Sequence, residues 1–303
     1  MNDPLRAWCT ALLGPFEVVR GTQRPDARSG VSRLRTRNGH CYLKVHRDPA
    51  MWANEVHAYE QWAPAFGPYA PPLLAARDEP PLALLIGELE GQVLENVQLP
   101  VERERAAWRA AGEMLTGLHA LPGGDFFGPC ARDGTPPEGA THAGPTGAAV
   151  EYITADLARE IEGATRDGLL DAAEQATMHA ALERAAVFRG ERPVVCHRDY
   201  NPYNWLVAPD GTWTGVIDFE FAHPDVRVAE FCRYPDWEQI ERPDLVEALL
   251  EGYGRPLTPR EEAQCLVARA QYALSAITWG SSASYHGFVA EGRRALALLA
   301  RLL

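Results

Sequence analysis

The sequence predicts an α+β chain with two lobes: a small β-rich N-terminal lobe over residues 1–88 and a larger, mainly helical lobe over 89–303 that carries a short β insert. Three observations support this. Residues 16–86 hold short apolar or alternating runs separated by Gly, Pro, Asn and Asp, the pattern of strands and turns. From Val101 onward, apolar residues recur at helical spacing over long stretches. One compact segment, 193–219, returns to short apolar runs around an Asp210-Gly211 turn.

The elements follow in order. Phe16 to Val19 is a short strand, and Gly21 to Gly30 reads as a loop rich in Gly, Arg, Asp and Ser. Val31 to Thr36 alternates apolar and polar residues. Asn38-Gly39 predicts a hairpin turn, since both residues tolerate positive φ. Cys41 to Val45 is the returning strand and carries Lys44. Asp48-Pro49 is an N-cap and N1 pair. The helix it opens is expected to reach Trp62, with Trp52, Val56, Tyr59 and Ala63 on its apolar stripe. Four prolines between 64 and 72 break the chain, and Leu73–Ala76 and Leu82–Ile86 read as two buried strands. This first lobe is expected to hold one helix. Gly87 to Gly91 is the crossing segment. Residues 102–120 predict a helix, 122–147 a Gly/Pro-rich loop, and 148–189 two helices broken near Gly168. The tail from 225 is helical again, with a capping box at Thr258-Pro259-Arg260-Glu261.

Composition excludes several classes. Against 41 Asp+Glu stand 28 arginines and a single lysine, Lys44, for a net charge of −12 and a pI near 5.3. Nucleic-acid binding needs a basic face, which this balance does not supply. A cationic partner suits the charge better. No apolar run reaches membrane-spanning length, and the N-terminal residues show no secretory pattern. Six scattered cysteines without a C-x-x-C pair read as neither a disulfide framework nor a zinc site, so a cytoplasmic protein is expected. The acidic run Asp236, Glu238, Glu241 and Asp244 reads first as a solvated helix face and second as a wall for a cationic substrate.

The chemistry concentrates in residues 194–220. Val194-Val195-Cys196 ends a strand, His197-Arg198-Asp199-Tyr200-Asn201-Pro202-Tyr203-Asn204 turns through polar residues, and Trp205-Leu206-Val207 re-enters a strand. Gly215-Val216-Ile217-Asp218-Phe219-Glu220 then ends the next strand with two more carboxylates. Asp and Asn oxygens on neighbouring β-loops suit a hard cation such as Mg2+. Asp199 is left as a carboxylate able to take a proton from a hydroxyl.

The His-x-Asp-x-x-x-x-Asn pattern at 197–204, followed by Ile217-Asp218-Phe219-Glu220, resembles the aminoglycoside phosphotransferase and choline kinase superfamily, small-molecule kinases with a two-lobed protein-kinase-like fold. The resemblance implies that Asp199 is the base facing the acceptor hydroxyl, that Asn204 and Asp218 hold Mg2+ against the ATP phosphates, and that His197 orients the loop. It implies that Lys44 contacts the phosphates and is held by a helix glutamate, Glu55 or alternatively Glu60; Glu55, nearer the helix start, is preferred. Ser29, Gly30 and Ser32 would cover the phosphates, and Glu88 and Leu89 would line the base site. Glu220 has no settled role. Arg198 stands where small-molecule kinases often carry Gly and is counted with the catalytic loop. The short stretch after Asp218-Phe219-Glu220 leaves little room for a peptide-docking segment, which favours a small acceptor. The expected activity is transfer of the γ-phosphate of ATP, with GTP as an alternative donor, to a hydroxyl of a small molecule. An antibiotic of aminoglycoside, cyclic peptide or nucleoside type, met by a resistance enzyme, is preferred. The alternatives are a metabolic kinase for choline, a sugar or an amino alcohol, and a silent nucleotide-binding module.

Overall fold

Lys44 lies on the middle strand of a five-stranded antiparallel sheet. In the computed structural model, which describes residues 3–22, 29–137, 148–232 and 240–303, that sheet consists of β1 (Glu17–Thr22), β2 (Ser29–Thr36), β3 (Gly39–His46), β4 (Leu73–Arg77) and β5 (Ala83–Gly87). Their order is β1-β2-β3-β5-β4. Alternation along β3 separates two faces. Cys41 and Leu43 join Leu34, Ala83 and Leu85 on one face, covered by Leu5 and Cys9 of α1 (Asp3–Leu13). Lys44 and His46 point to the other, toward α2 (Pro49–His57).

α1 is a second helix in the small lobe, where one was expected. At eleven residues it is below the length at which a helix holds itself in water. Its apolar side is completed by the sheet, a tertiary contribution invisible to a local reading. Two further differences concern β2. The predicted loop at 21–30 is shorter, because Gly21 and Thr22 belong to β1 and Ser29 and Gly30 to β2; residues 23–28 lie outside the described ones. At the hairpin, Thr36 pairs with Gly39, and of Asn38 and Gly39 only Gly39 takes a positive φ, 114°.

α2 starts as its sequence requires, with the Asp48 carboxylate accepting from the Ala50 N–H at 2.8 Å and Pro49 in the first turn. The helical path continues in a wide turn to Trp62 and a tight one to Tyr69. The larger lobe holds α3 (Val101–His119), α4 (Ala148–Arg166), α5 (Ala172–Glu183), α6 (Pro243–Gly252), α7 (Pro259–Ser282) and α8 (His286–Leu299). α7 opens on the Thr258/Glu261 capping box. α3 and α6 cross closely at two glycines: a Cβ on Gly112 would lie 2.0 Å from the Leu249 carbonyl oxygen, and one on Gly252 1.9 Å from that of Arg109.

The β insert forms two small sheets. β6 (Gln92–Val93), β8 (Trp205–Val207) and β9 (Trp213–Val216) make one; β7 (Val194–Cys196) and β10 (His223–Asp225) make the other. Their loops are held on a buried aromatic floor. Tyr200 donates to the Ala111 carbonyl at 2.8 Å, Trp108 meets Trp205 edge-on at 5.0 Å, and Phe219 packs between Tyr59 and Phe66. This floor belongs to one apolar cluster that includes Trp52 and Val56 of α2 and Leu115 of α3, so the two lobes share a core. Among the described residues no helix is long and apolar enough to cross a membrane. All six cysteines are free thiols.

Candidate active site

The sequence distance between Lys44 and Asp218 is 174 residues, yet Lys44 Nζ lies 2.7 Å from Asp218 Oδ1. It is also 2.9 Å from Glu55 Oε1 and 2.8 Å from Glu220 Oε2. β3 supplies the lysine, α2 supplies Glu55 about two turns from its start, and the segment after β9 supplies the other two carboxylates. Lys44 is 5 % exposed and Glu55 is fully buried. Burial alone would favour neutral Lys44, but Asp218, Glu55 and Glu220 raise its pKa well above the ordinary value. Asp218 shows the reciprocal effect: burial acts to raise its carboxyl, but Lys44 draws it below the usual range. Glu220 goes the other way, raised by burial and by the neighbouring Asp218 and Glu55 charges.

Glu55 has a second partner that the sequence reading did not name. Its Oε2 lies 2.6 Å from His46 Nε2, two residues along β3 on the same face. Glu60 points elsewhere, to Arg132 at 3.2 Å. Asn54 fixes α2 against the other half of the site. Its amide donates to the carbonyls of Glu220 at 3.2 Å and Ala222 at 2.9 Å, while its Oδ1 accepts from the Cys130 N–H at 3.0 Å.

The loop between β7 and β8 presents Asp199 with both carboxylate oxygens engaged by amides. Asn201 Nδ2 lies 2.9 Å from Oδ1, and Asn204 Nδ2 lies 2.8 Å from Oδ2. His197 supports the loop from below. The Asp199 N–H donates to His197 Nδ1 at 3.3 Å, which places the ring hydrogen on Nε2, 3.2 Å from the Ile217 carbonyl. Burial lowers the His197 pKa, consistent with that neutral tautomer. The ring bridges the Asp199 loop and the strand leading into Asp218, and it packs on Phe219 at 4.8 Å.

Glu230, another residue the sequence reading passed over, holds the loop from behind. Its Oε2 accepts the His197 N–H at 2.6 Å and its Oε1 the Arg198 N–H at 2.9 Å. Burial opposes its charge, yet the His119 ring, its Nε2 3.6 Å away, and the loop amides hold its carboxyl below the usual range. Cys196 joins His119 and Glu230 with ligand-type atoms within 4.8 Å of one another. With both Glu230 oxygens taken by amides and the Cys196 thiol pushed well up by burial, the trio acts as a brace for the loop.

Arg198 lies on the same loop, next to Asp199, and its N–H is held by Glu230. Its guanidinium pairs with buried Asp225 on β10, so its side chain ties the β7–β8 loop to the β7–β10 sheet. Its backbone has φ 69°, a conformation glycine adopts without steric cost. Asp218 also has a positive φ, 70°, which Asp tolerates better than most residues.

The remaining predicted residues are more peripheral. Ser29, Gly30 and Ser32 are strand residues of β2, opposite His46, Val45 and Leu43. Glu88 is engaged by the sheet, accepting from Arg33 Nε at 2.7 Å and the Tyr42 hydroxyl at 3.2 Å. Leu89 lies at the crossing, its Cδ1 2.7 Å from where a Cβ on Gly215 would be. Asp236 and Glu238 lie outside the described residues. Asp244, with Glu104, is paired to Arg242 at the start of α6.

The donor set fits Mg2+. Asn204 Oδ1 and Asp218 Oδ2 accept no protein hydrogen bond among the described residues, and the Asp218 side chain is 39 % exposed. Glu55, Asp218 and Glu220 outnumber the one cation between them, leaving negative charge for a divalent ion to offset.

Comparison with known proteins gives a consistent picture. Residues 22–264 match the profile of APH, the phosphotransferase enzyme family. No curated protein sequence matches the chain. The chain is similar in structure to a thermostable mutant of aminoglycoside phosphotransferase APH(4)-Ia in its apo form, with TM-score 0.74 and 14% identity over 97% of this chain and 98% of that one. The GDP complex of aminoglycoside 2'-phosphotransferase-IIIa gives 0.67 and 14% over 99% of both chains. Macrolide 2'-phosphotransferase MphH from Brachybacterium faecium gives 0.63 and 17% over 97% of both. The two-lobed, protein-kinase-like fold is shared with all three.

Proposed function

Because this chain belongs to the phosphotransferase enzyme family, we propose that it transfers the γ-phosphate of a nucleoside triphosphate, ATP in the first instance, to a hydroxyl of a small molecule, most simply an antibiotic. The observation that carries the reading is the convergence of Lys44, Glu55 and Asp218 with an amide-fixed Asp199 on the adjacent loop. The likeness to aminoglycoside and macrolide phosphotransferases supports the acceptor class. Similar structures were solved with ADP and hygromycin B and with GDP, which supports a nucleotide donor.

In this reading Lys44 is held by Glu55 and meets the triphosphate as a compact, fixed charge. Asn204 and Asp218 would hold Mg2+, which when bound neutralises phosphate charge. Asp199, oriented by Asn201 and Asn204, accepts the proton of the acceptor hydroxyl. The acceptor oxygen forms its bond to the γ-phosphorus, the bond from that phosphorus to the β,γ-bridging oxygen breaks, and the nucleoside diphosphate leaves with the electron pair. Most of the rate comes from positioning and charge stabilisation. His197 and Glu230 are positioning residues, acting through the loop backbone.

The test is a mass-spectrometric screen with Mg2+ and ATP or GTP against hydroxylated antibiotics, choline and sugars, scoring the mass of one added HPO3. Asp199→Asn should retain nucleotide binding and lose turnover by about 10²- to 10⁴-fold. Near-normal turnover in that variant refutes the base assignment.

A further inference from the structure

β3 ends on a histidine that the proposed reaction does not use. Lys44 and His46 lie on the same face of the strand, since side chains alternate along it. The His46 side chain and that of Glu55 are both fully buried. The His46 N–H donates to the Leu82 carbonyl at 2.9 Å, which fixes the end of β3 to the chain entering β5. Asp48 then caps α2, and Glu55 returns from that helix to meet both β3 side chains.

The two carboxylate oxygens of Glu55 have different partners. Oε1 lies 2.9 Å from Lys44 Nζ, and Oε2 lies 2.6 Å from His46 Nε2. Lone pairs facing one another at that separation would repel, so Nε2 carries its hydrogen. The approach is close but falls outside aligned hydrogen-bond geometry, so the hold is mainly electrostatic. His46 Nδ1 is buried without a hydrogen-bond partner among the described residues. Burying an imidazole this way is costly, and a side chain wanted only for packing would carry no polar atoms. What the ring supplies is its contact with Glu55.

We propose that His46 is a positioning residue for the nucleotide. By holding Oε2, it confines Glu55 to one contact with Lys44 and keeps the remaining ammonium hydrogens for phosphate. The proposal rests on the phosphotransferase reading above. Lys44 also meets Asp218 at 2.7 Å and Glu220 at 2.8 Å, so all three of its ammonium hydrogens have carboxylate partners. A triphosphate has to take over those that Asp218 and Glu220 hold. With Oε2 released, the Glu55 carboxylate would turn both oxygens onto the ammonium, and phosphate would compete with it for a second hydrogen.

The experiment is calorimetric titration of the full chain with AMP-PNP in the presence of Mg2+. His46→Leu keeps similar bulk and removes the donor; it should weaken AMP-PNP binding about tenfold. His46→Gln, whose amide reaches as far as Nε2, should stay within about threefold of wild type. His46→Asn, whose amide falls short, should lose affinity as His46→Leu does, and it replaces that variant if leucine prevents folding. In a Glu55→Gln background, His46→Leu should change affinity by no more than about twofold, because His46 acts through Glu55. Wild-type affinity in both His46→Leu and His46→Asn overturns the proposal. So does equal loss in His46→Gln and His46→Asn, which assigns the ring to packing, or an undiminished effect of about tenfold in the Glu55→Gln background. A wild type that fails to bind AMP-PNP refutes the phosphotransferase reading and the proposal with it. Wild-type binding with any of the other adverse results refutes the proposal alone.

Discussion

Replacing Glu230 with Gln separates support of the catalytic loop from contact with either substrate. Glu230 is fully buried, and its two oxygens accept the amides of His197 at 2.6 Å and Arg198 at 2.9 Å. A glutamine of the same shape keeps one oxygen and turns an NH2 toward the other amide. One buried N–H then faces a donor, at roughly 1–3 kcal/mol. The surviving bond loses its charge assistance, worth about 1 kcal/mol more. The total, about 2–4 kcal/mol, corresponds to a fall in Tm of roughly 3–6 °C for a chain of this size. The catalytic effect follows from geometry. Asp199 adjoins both amides, and a displacement of about 1 Å costs on the order of a hundredfold in turnover. Calorimetric unfolding and steady-state kinetics on the acceptor found in the screen measure the two effects. KM for ATP should stay near wild type, because Lys44, Glu55 and Asp218 make no contact with Glu230. The carboxyl is held below its usual range in the fold, so its stabilisation is full above the ordinary carboxylate range and fades as pH falls through the folded pKa. The Gln variant should lack that acid-side loss. A Glu230→Gln protein with wild-type Tm and kcat refutes the reasoning.

Lys44 carries the only side-chain amine in the chain. An amine-reactive ATP analogue should therefore modify Lys44 or the N-terminus, and excess Mg2+ and ATP should protect Lys44; peptide mapping that finds Lys44 unreactive or unprotected contradicts its role. At the start of α7, Glu261 has its carboxyl lowered to about 2, first by its hydrogen bond to Arg255 and then by Thr258. Its contribution is present above the unfolded carboxyl pKa of 4.5 and is lost as pH falls from there toward 2. Melting curves across that range should show Glu261→Gln with a flatter acid limb than wild type, and parallel limbs would disprove the assignment. Gly112→Ala should lower stability by about 1–3 kcal/mol in denaturant titration, because the new methyl meets the Leu249 backbone across the α3–α6 crossing; an unchanged midpoint would show that the crossing can yield.

Much of this protein was legible from sequence because its chemistry sits on short, patterned segments. Lys44 flanked by Leu43 and Val45, and the polar run 197–204 between two apolar anchors, declare both their local structure and their residue types within a few positions. What the sequence by itself determined was therefore the order of most strands and helices after Phe16, the separation of a β-rich from a helical lobe, and the resemblance carried by residues 197–220. What it left open were choices between equals. Glu55 and Glu60 share one helical path, and only the approach of β3 to α2 brings the first to Lys44 and leaves the second to Arg132. Arg198 read as part of the catalytic loop, and it lies there, but only the fold pairs its side chain with a buried Asp225 on the neighbouring strand. Glu230 gave one faint signal, a lone charge within an apolar run, and its partners are backbone amides 32 and 33 residues distant, which no side-chain pattern encodes. α1 needed the sheet to complete its apolar face. Local spacing fixes which face of an element is apolar, but the pairing of buried charges depends on distances between elements, and those are set only when the two lobes close on their shared core.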